Sequence, residues 1–576
     1  MSYQAKSSVD IISAARNYIE KIVNDNSISG MKALLLDQST TKIVSMVFTQ
    51  TQILDQEVYL VEQLGKEHES MGHLKAAVYI QPTEANIDLL VKECRKPQFS
   101  EYHVFFSNVV SKDKLQRLAR ADEFEVIKQV QEYYGDFMAV NEDIFHLGSD
   151  NSISLSSSNA NTFEAKHALD RNVKGLMSVF LSLKRRPTQI RYQGSSDLAR
   201  KVASEVISTI EGDDIYEFRR APNDPSYSGT LLLVLDRKDD PITPLLTQWT
   251  YQAMVHECMG LSYNRVSMRD APGVKGQKDM QEIVLSITSD PFFAAHRNDN
   301  FGDLGMAIKD MLSDYQKSQK LNENIQSIED MQNFMVRYPE IRSQSVMVTK
   351  HVALMSELAR LVDVCQLLDI SQLEQEMACS NDRSGHRRQT MEKLNNPRIQ
   401  LADKVKLVLL YLLRYENSDD VANMKMALQD QGVDSRKVEQ IDALLRYAGE
   451  NKRAPGLFTA GGLMSTLGRQ LKSSIHGVEN VYTQHIPLMS HTIEAIAKGK
   501  LKDASYPLIH GTASNTRPSE VVIFVVGGIT MEEVTKVSEF NAASASNGTN
   551  MRIVLGGSTV HNSTSFLKEV GAVFKA

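Results

Sequence analysis

The feature that most constrains the fold is a regular alternation of short apolar runs with amphipathic stretches over roughly the first 140 residues. Four runs have the composition of buried strands, and they lie at residues 32–36, 76–80, 102–106 and 136–140. Helical patterns at 51–64 and 84–93 lie between them. Strands that alternate with helices usually form parallel sheets covered by helices. The sequence therefore predicts a doubly wound α/β domain at the start of the chain.

Further apolar runs predict a second parallel sheet that is assembled from distant parts of the chain. These runs lie at 189–192, 230–235, 521–526 and 552–555. Most of the chain between about 245 and 480 shows helical spacing of apolar residues instead. We therefore expect a large helical domain inserted into a second α/β domain. The Ser- and Asn-rich stretch at 148–161 has no periodicity and predicts a surface loop.

Composition indicates a multidomain globular protein without a dedicated nucleic-acid surface. The chain has 576 residues, of which 42% are hydrophobic and 23% charged, and its formal charge is −7 without a long block of like charges. Its cysteines, Cys94, Cys258, Cys365 and Cys379, form no CxxC pair, so we predict neither a metal site nor a disulfide framework. Because no apolar run is long enough to span a bilayer, we expect a cytoplasmic protein without direct membrane insertion.

Motifs for catalysis are missing from the sequence. There is no phosphate-binding P-loop, no GxGxxG, no GxSxG and no HExxH, since Gly260 stands where a second zinc-binding histidine is needed after His256. The glycine pairs 527–528 and 556–557 follow apolar runs, where a backbone can approach a phosphate. They leave open a nucleotide- or sugar-phosphate-binding α/β enzyme, although such pairs more often mark tight turns. We predict no enzyme activity and no cofactor.

The segment from Leu235 to Met254, LDRKDDPITPLLTQWTYQAM, combines acidic residues, prolines and aromatic residues in a spacing that secondary-structure propensity does not explain. The acidic residues Asp236, Asp239 and Asp240 fit no metal-binding loop, and we interpret them as turn and ion-pair residues. The segment resembles the hallmark of the SM family, the Sec/Munc-type regulators of SNARE-mediated fusion. The end of the first domain and the last 60 or so residues also resemble this family, and look nearest to its vacuolar-protein-sorting branch.

The resemblance implies a three-domain arch with two parallel-sheet α/β domains and a large helical domain. Domain 1 would span residues 1–135, domain 2 would combine 136–237 with 485–576, and domain 3 would span 238–484. A flexible helical hairpin at about 306–365 would belong to domain 3. Pro339 is expected to break or kink this hairpin and to act as its hinge, because proline lacks the amide donor that a helix needs.

The resemblance also implies a non-enzymatic function. The protein would bind a syntaxin-like Qa-SNARE of the endosome or trans-Golgi network, through its N-terminal peptide and its SNARE bundle, and would promote or template SNARE complex assembly. Further implied partners are the assembled SNARE complex, an R-SNARE and an endosomal Rab effector. The protein would associate peripherally with endosomal, trans-Golgi and vesicle membranes through these partners. An alternative that also lacks catalytic activity is a generic scaffold or tether.

The resemblance places the binding site for the syntaxin N-terminal peptide between two helices expected at 111–120 and 124–134. The pocket would be apolar, with one acidic residue at its rim for a basic residue of the peptide. Its residues would be Leu115, Leu118, Ala119, Ile127, Val130 and Glu132. Ordinary packing between two helices is the alternative interpretation of the same apolar residues.

Overall fold

The structure is a computed structural model. It describes residues 9–67, 69–149, 152, 163–212, 214–216, 228–322, 328–416, 418–455, 457–458, 481–512, 517–548 and 551–573. Most of the loop predicted at 148–161 lies outside these residues. The chain divides into two compact units. The first comprises Met1–Arg237, Thr492–Ile529 and Val537–Val560, and the second comprises Lys238–His491, Thr530–Lys536 and His561–Ala576.

Within the described part of the first unit, five strands form a fully parallel sheet in the order β2-β1-β3-β4-β5. The strands are β1 Lys32–Leu36, β2 Val58–Gln63, β3 Met71–Ile80, β4 Phe99–Phe106 and β5 Ile127–Glu132. The accompanying helices are α1 Ile11–Val23, α2 Gln38–Val47, α3 Gln50–Leu54, α4 Glu84–Arg95 and α5 Lys112–Ala121. The predicted helix at 51–64 is wrong, because the left-handed backbone of Glu57, with φ of 59°, ends the helical stretch and starts β2.

The first unit also contains a seven-stranded sheet among its described residues. Its strands are β6 Met138–Asn141, β7 Ile144–His146, β8 Gln189–Tyr192, β9 Thr230–Asp236, β10 Leu508–His510, β11 Glu520–Val526 and β12 Arg552–Gly557, in the order β10-β8-β9-β11-β12-β7-β6. The central pairs are parallel, whereas the outermost strands β10 and β6 pair antiparallel. The run at 136–140 therefore belongs to this sheet and not to the first one. Distant segments form one sheet, as predicted.

The second unit is mainly helical. Across both units, the remaining helices among the described residues are α6 Phe163–Leu183, α7 Asp197–Gly212, α8 Tyr251–Cys258, α9 Pro291–His296, α10 Phe301–Asn322, α11 Ile328–Val364, α12 Leu367–Cys379, α13 Arg383–Asn395, α14 Leu401–Arg414, α15 Asp420–Asp430, α16 Ser435–Ala448, α17 Leu488–Ala497, α18 Met531–Ser546 and α19 Ser563–Val573. Pro339 lies within α11, so the helix does not end at this residue as one of the two predicted outcomes required, whereas the kink and the hinge remain predictions. A proline removes one backbone hydrogen bond, and a helix of 37 residues retains the many others on either side.

The hallmark segment connects the elements of the helical unit through buried polar contacts. The Asp240 carboxylate accepts hydrogen bonds from the backbone of Thr243 and Leu488 at 3.0 and 3.2 Å. The amide of Thr247 donates to Glu374 on α12 at 2.7 Å. Because the Asp240 contacts require a carboxylate at that position, part of the spacing of this segment has a structural origin that propensity does not reveal. The turn role predicted for Asp240 is confirmed.

Candidate peptide-binding groove

The candidate groove lies between helix α5 and strand β5, at one edge of the five-stranded sheet. The chain from Ile127 to Glu132 is a strand, so the helix predicted at 124–134 is wrong. The Asp122 carboxylate accepts hydrogen bonds from the amides of Val126 and Ile127 at 2.8 and 3.0 Å. Together with Glu125, whose φ is 53°, these bonds turn the chain out of α5 and into an extended conformation beside β4.

The register of β5 against β4 shows which of its side chains share a face with α5. Val130 pairs with Val104, and Glu132 pairs with Phe106. Val104 and Phe106 belong to the hydrophobic core beneath α5, which also includes Leu118. Successive side chains of a strand point to opposite faces. Val130 and Glu132 therefore lie on the face of the sheet that α5 covers.

The predicted apolar residues occupy different depths. Leu118 is only 2% exposed and belongs to the core, so it supports the groove from below and is not a contact surface. Leu115 and Ile127 are partly buried against the same core. Val130 is 42% exposed, and Ala119 is exposed one helical turn after Leu115. Of the predicted apolar residues, Leu118 is therefore buried, whereas Leu115, Ala119 and Val130 remain at least partly accessible.

The carboxylate of Glu132 is held from two sides. The amide N–H of Val110, in the loop before α5, donates to Oε1 at 2.8 Å, and the Tyr134 hydroxyl donates to Oε2 at 3.0 Å. Burial and the neighbouring Glu132 carboxylate raise the pKa of Tyr134, so its hydroxyl stays protonated as a donor. Neither Val110 nor Tyr134 was identified from the sequence. The same is true of Val109, which is 37% exposed beside this loop.

The basic residues of α5 are partly engaged with α4. Lys114 lies 3.2 Å from Glu84, and Arg117 pairs with Glu84 at 3.1 Å and with Asp88. These exposed pairs contribute little to stability, but they direct two positive charges toward α4.

The carboxyl edge of the first sheet, a common ligand site in α/β proteins, is filled by the protein's own side chains. The buried Asp136 carboxylate accepts hydrogen bonds from Gln81 at 2.6 Å, from Asn108 at 2.9 Å and from Arg171 at 2.9 Å. Asp136 is only 4% exposed. The arrangement is that of a structural polar network, since its donors are already paired with Asp136.

The glycine pairs of the second sheet are explained by packing. A Cβ at Gly556 would lie 2.0 Å from the ring of Phe145. The amide of Gly527 donates to the Ser558 hydroxyl at 3.1 Å, so this donor is already used. Asp236, at the end of β9, accepts a hydrogen bond from Ser196 at 2.6 Å. Nothing in these contacts favours a phosphate site.

In the part of the chain that the structure describes, no group of three or more His, Cys, Asp or Glu side chains is arranged to hold a metal ion. No helix in that same part is both long enough and apolar enough to cross a bilayer.

Comparison with known proteins identifies the family. The Sec1 family model matches residues 32–569. The chain is 41% identical over 565 residues to vacuolar protein sorting-associated protein 45 of Dictyostelium discoideum, covering 98% of this chain and 97% of the relative. It is also 41% identical over 567 residues to the protein of that name from Homo sapiens, covering 98% and 96%. A solved structure of the SM protein Vps45 in complex with the Qa SNARE Tlg2 (1-310) aligns with a TM-score of 0.86 and 39% identity over 98% of both chains. The resemblance to the vacuolar-protein-sorting branch is thereby confirmed, and the chain belongs to the Sec1 family.

Proposed function

We propose that this protein is an SM-type regulator that binds a Qa-SNARE and promotes SNARE complex assembly in vesicle transport to the endosome or vacuole. The observation that carries the proposal is the 39% identity, over 98% of both chains, to the SM protein Vps45 solved with the Qa SNARE Tlg2. The activity is binding and not covalent chemistry. The occupied carboxyl edge at Asp136 and the packed glycine at Gly556 support this part of the proposal.

The α5–β5 groove is proposed as the site for the N-terminal peptide of the Qa-SNARE. An apolar side chain of the peptide would contact Leu115, Ala119 and Val130, while Ile127 and Leu118 form the base of the groove. The exposure of Val130 supports this assignment, because a partner that buries this apolar side chain on the edge strand is stabilised by the hydrophobic effect. Glu132 lies on the same face and would meet a basic residue of the peptide.

Peptide titration with matched variants tests the groove. We expect Val130→Arg and Leu115→Arg to weaken binding of a synthetic Qa-SNARE N-terminal peptide by at least about tenfold, because each places a charge where an apolar group must dock. The control is Tyr59→Arg, since Tyr59 is 64% exposed on β2, the opposite edge strand of the same sheet. Circular dichroism establishes that the variants fold. Equal affinities for all three variants and the unmodified chain contradict the assignment.

Several further roles are proposed from family membership. The assembled SNARE complex and an R-SNARE would contact the α10–α11 hairpin, with Pro339 as a hinge that permits a bent state besides the continuous helix. An endosomal Rab effector would recruit the protein, which would associate peripherally with endosomal and trans-Golgi membranes. The first unit would act as two domains, one for each sheet, within the three-domain division at 1–135, 136–237 with 485–576, and 238–484. Co-purification from cells, followed by identification of the stoichiometric partners, tests these roles.

A further inference from the structure

Glu132 is an acidic side chain held only by neutral donors. Among the described residues no lysine, arginine or histidine forms an ion pair with it, and its hydrogen bonds come from the Val110 amide and the Tyr134 hydroxyl. A carboxylate offers about four acceptor positions, so one donor on each oxygen leaves further capacity on both. Glu132 is only partly buried. Its negative charge thus remains available to a ligand in the groove.

Tyr134 is itself fixed by a series of aromatic contacts. Its ring meets that of Tyr18 edge-on, with centroids 6.5 Å apart. Tyr18 stacks on Tyr133 at 5.3 Å, and Tyr133 stacks on Phe105 of β4 at 5.2 Å. Contacts of this kind restrict a ring to one orientation, which fixes the direction of its hydroxyl. One of the two anchors of the Glu132 carboxylate, the Tyr134 hydroxyl, is therefore itself held by aromatic residues outside the groove.

We propose that Tyr134 is a positioning residue, whose hydroxyl holds the Glu132 carboxylate in the orientation that binds a cationic side chain of the docked peptide. This inference rests on the proposed function and adds a specificity device to the same groove. The terminal torsion of a glutamate is broad, so without the Tyr134 hydroxyl the Oε2 atom has no anchor and the carboxylate rotates more freely. A carboxylate anchored in advance loses less entropy when it binds a cation.

A purely structural role makes a different prediction. If Glu132 only connects the Val110 loop to the end of β5, then loss of the Tyr134 hydroxyl disturbs the groove for every peptide alike. If Tyr134 positions the charge, the loss is confined to peptides that carry the cation. A double-mutant cycle between protein and peptide separates these cases.

The experiment titrates the full chain with two synthetic Qa-SNARE N-terminal peptides, one natural and one with its basic residue nearest the apolar anchor replaced by glutamine. We expect Tyr134→Phe to weaken the natural peptide by about fivefold and to leave the neutral peptide within about twofold. Glu132→Gln, which removes the charge and keeps one acceptor oxygen, should also weaken mainly the natural peptide. Tyr133→Phe is the matched control, because that hydroxyl is not a donor to Glu132.

Equal losses for both peptides in Tyr134→Phe, or no loss for either, overturn the positioning role while the proposed groove stands. Failure of the natural peptide to bind the unmodified chain overturns the groove and the positioning role together. The two failures are therefore distinguishable.

Discussion

The hydroxyl of Tyr251 and Nδ1 of His351 lie 2.8 Å apart, and both side chains are fully buried. On its other side, Nε2 of His351 faces the two carboxylate oxygens of Asp290 at 3.1 and 3.0 Å. Lys350 also pairs with Asp290. These residues connect the hallmark helix α8, the start of α9 and the long helix α11. The arrangement has the order of a catalytic triad, but its burial leaves no access for a substrate, and its role is to fix α11 in the helical unit.

The first prediction concerns the pH dependence of stability. Burial lowers the pKa of His351 below its usual value of 6.5, although Asp290 opposes this shift. Between the lowered pKa of the folded state and the ordinary pKa of the unfolded state, the unfolded chain binds a proton that the folded chain does not. The free energy of unfolding therefore falls as the pH falls through this range. The slope that one such group adds is at most about 1.4 kcal/mol per pH unit.

Urea unfolding of the full chain at about pH 7 and about pH 5 measures this effect. We expect His351→Gln to reduce the difference in unfolding free energy between the two pH values. Part of the difference should remain, because burial also lowers the pKa of His386 and His485. The control is His73→Gln, since His73 is exposed on β3. A His351→Gln variant with an unchanged pH difference would show that His351 does not carry it.

The second prediction concerns the hallmark tryptophan. The indole N–H of Trp249 donates to the Ser371 hydroxyl at 2.8 Å, and both residues are buried. Ser371→Ala leaves this donor without a partner, which should cost about 1–3 kcal/mol of unfolding free energy. In a Trp249→Phe background, which removes the donor, Ser371→Ala should cost clearly less. The prediction fails if the serine substitution costs the same in both backgrounds.

The third prediction separates the base of the groove from its accessible surface. Because Leu118 is a core residue, Leu118→Ala should lower the unfolding free energy by about 2–5 kcal/mol. Ala119→Gln, at the exposed neighbouring position, should change it by less than about 0.5 kcal/mol. Chemical unfolding checks both values. Comparable stabilities of the two variants would argue against the depth that the structure assigns to Leu118.

The fourth prediction tests the packing explanation of the second glycine pair. Gly556→Ala should destabilise the first unit by about 1–3 kcal/mol, because the added methyl group meets the Phe145 ring. Phe145→Leu in the same chain should reduce the penalty of Gly556→Ala by making room. Calorimetric titration of the unmodified chain with nucleotides should show no binding. If a nucleotide did bind the unmodified chain and Gly556→Ala abolished that binding, the result would support a phosphate site at this strand end instead.

The sequence predicted the buried strands well and the edge strand poorly, for a physical reason. Strand β1 is buried at every residue, so its apolar run is continuous. Strand β5 reads IKQVQE and is partly exposed along its length. Its Ile127 and Val130 are three residues apart, a spacing that also fits one face of a helix. Only pairing with β4 decides between the two structures, and that pairing is a tertiary interaction.

Local sequence patterns could not predict the residues that hold Glu132 either. A backbone amide such as that of Val110 carries no signal in its residue type, and it reaches Glu132 only after β4 and β5 align. Pro339 illustrates the opposite error, since its helix-breaking propensity was overridden within the long helix α11. The family resemblance predicted where a groove should lie, and the structure shows how deeply each of the residues proposed for it is buried.

The position of strand β9 in the sequence affects how the chain folds while it is being synthesised. It is buried along its whole length between β8 and β11, and Thr230 is separated from its partner Glu520 by 290 residues. At about 5–20 residues per second, a ribosome needs about 15–60 s to produce the missing neighbour. For that time one edge of an apolar strand is left without its native cover on the nascent chain. We therefore expect this edge to be a site where the nascent chain can aggregate until β11 emerges.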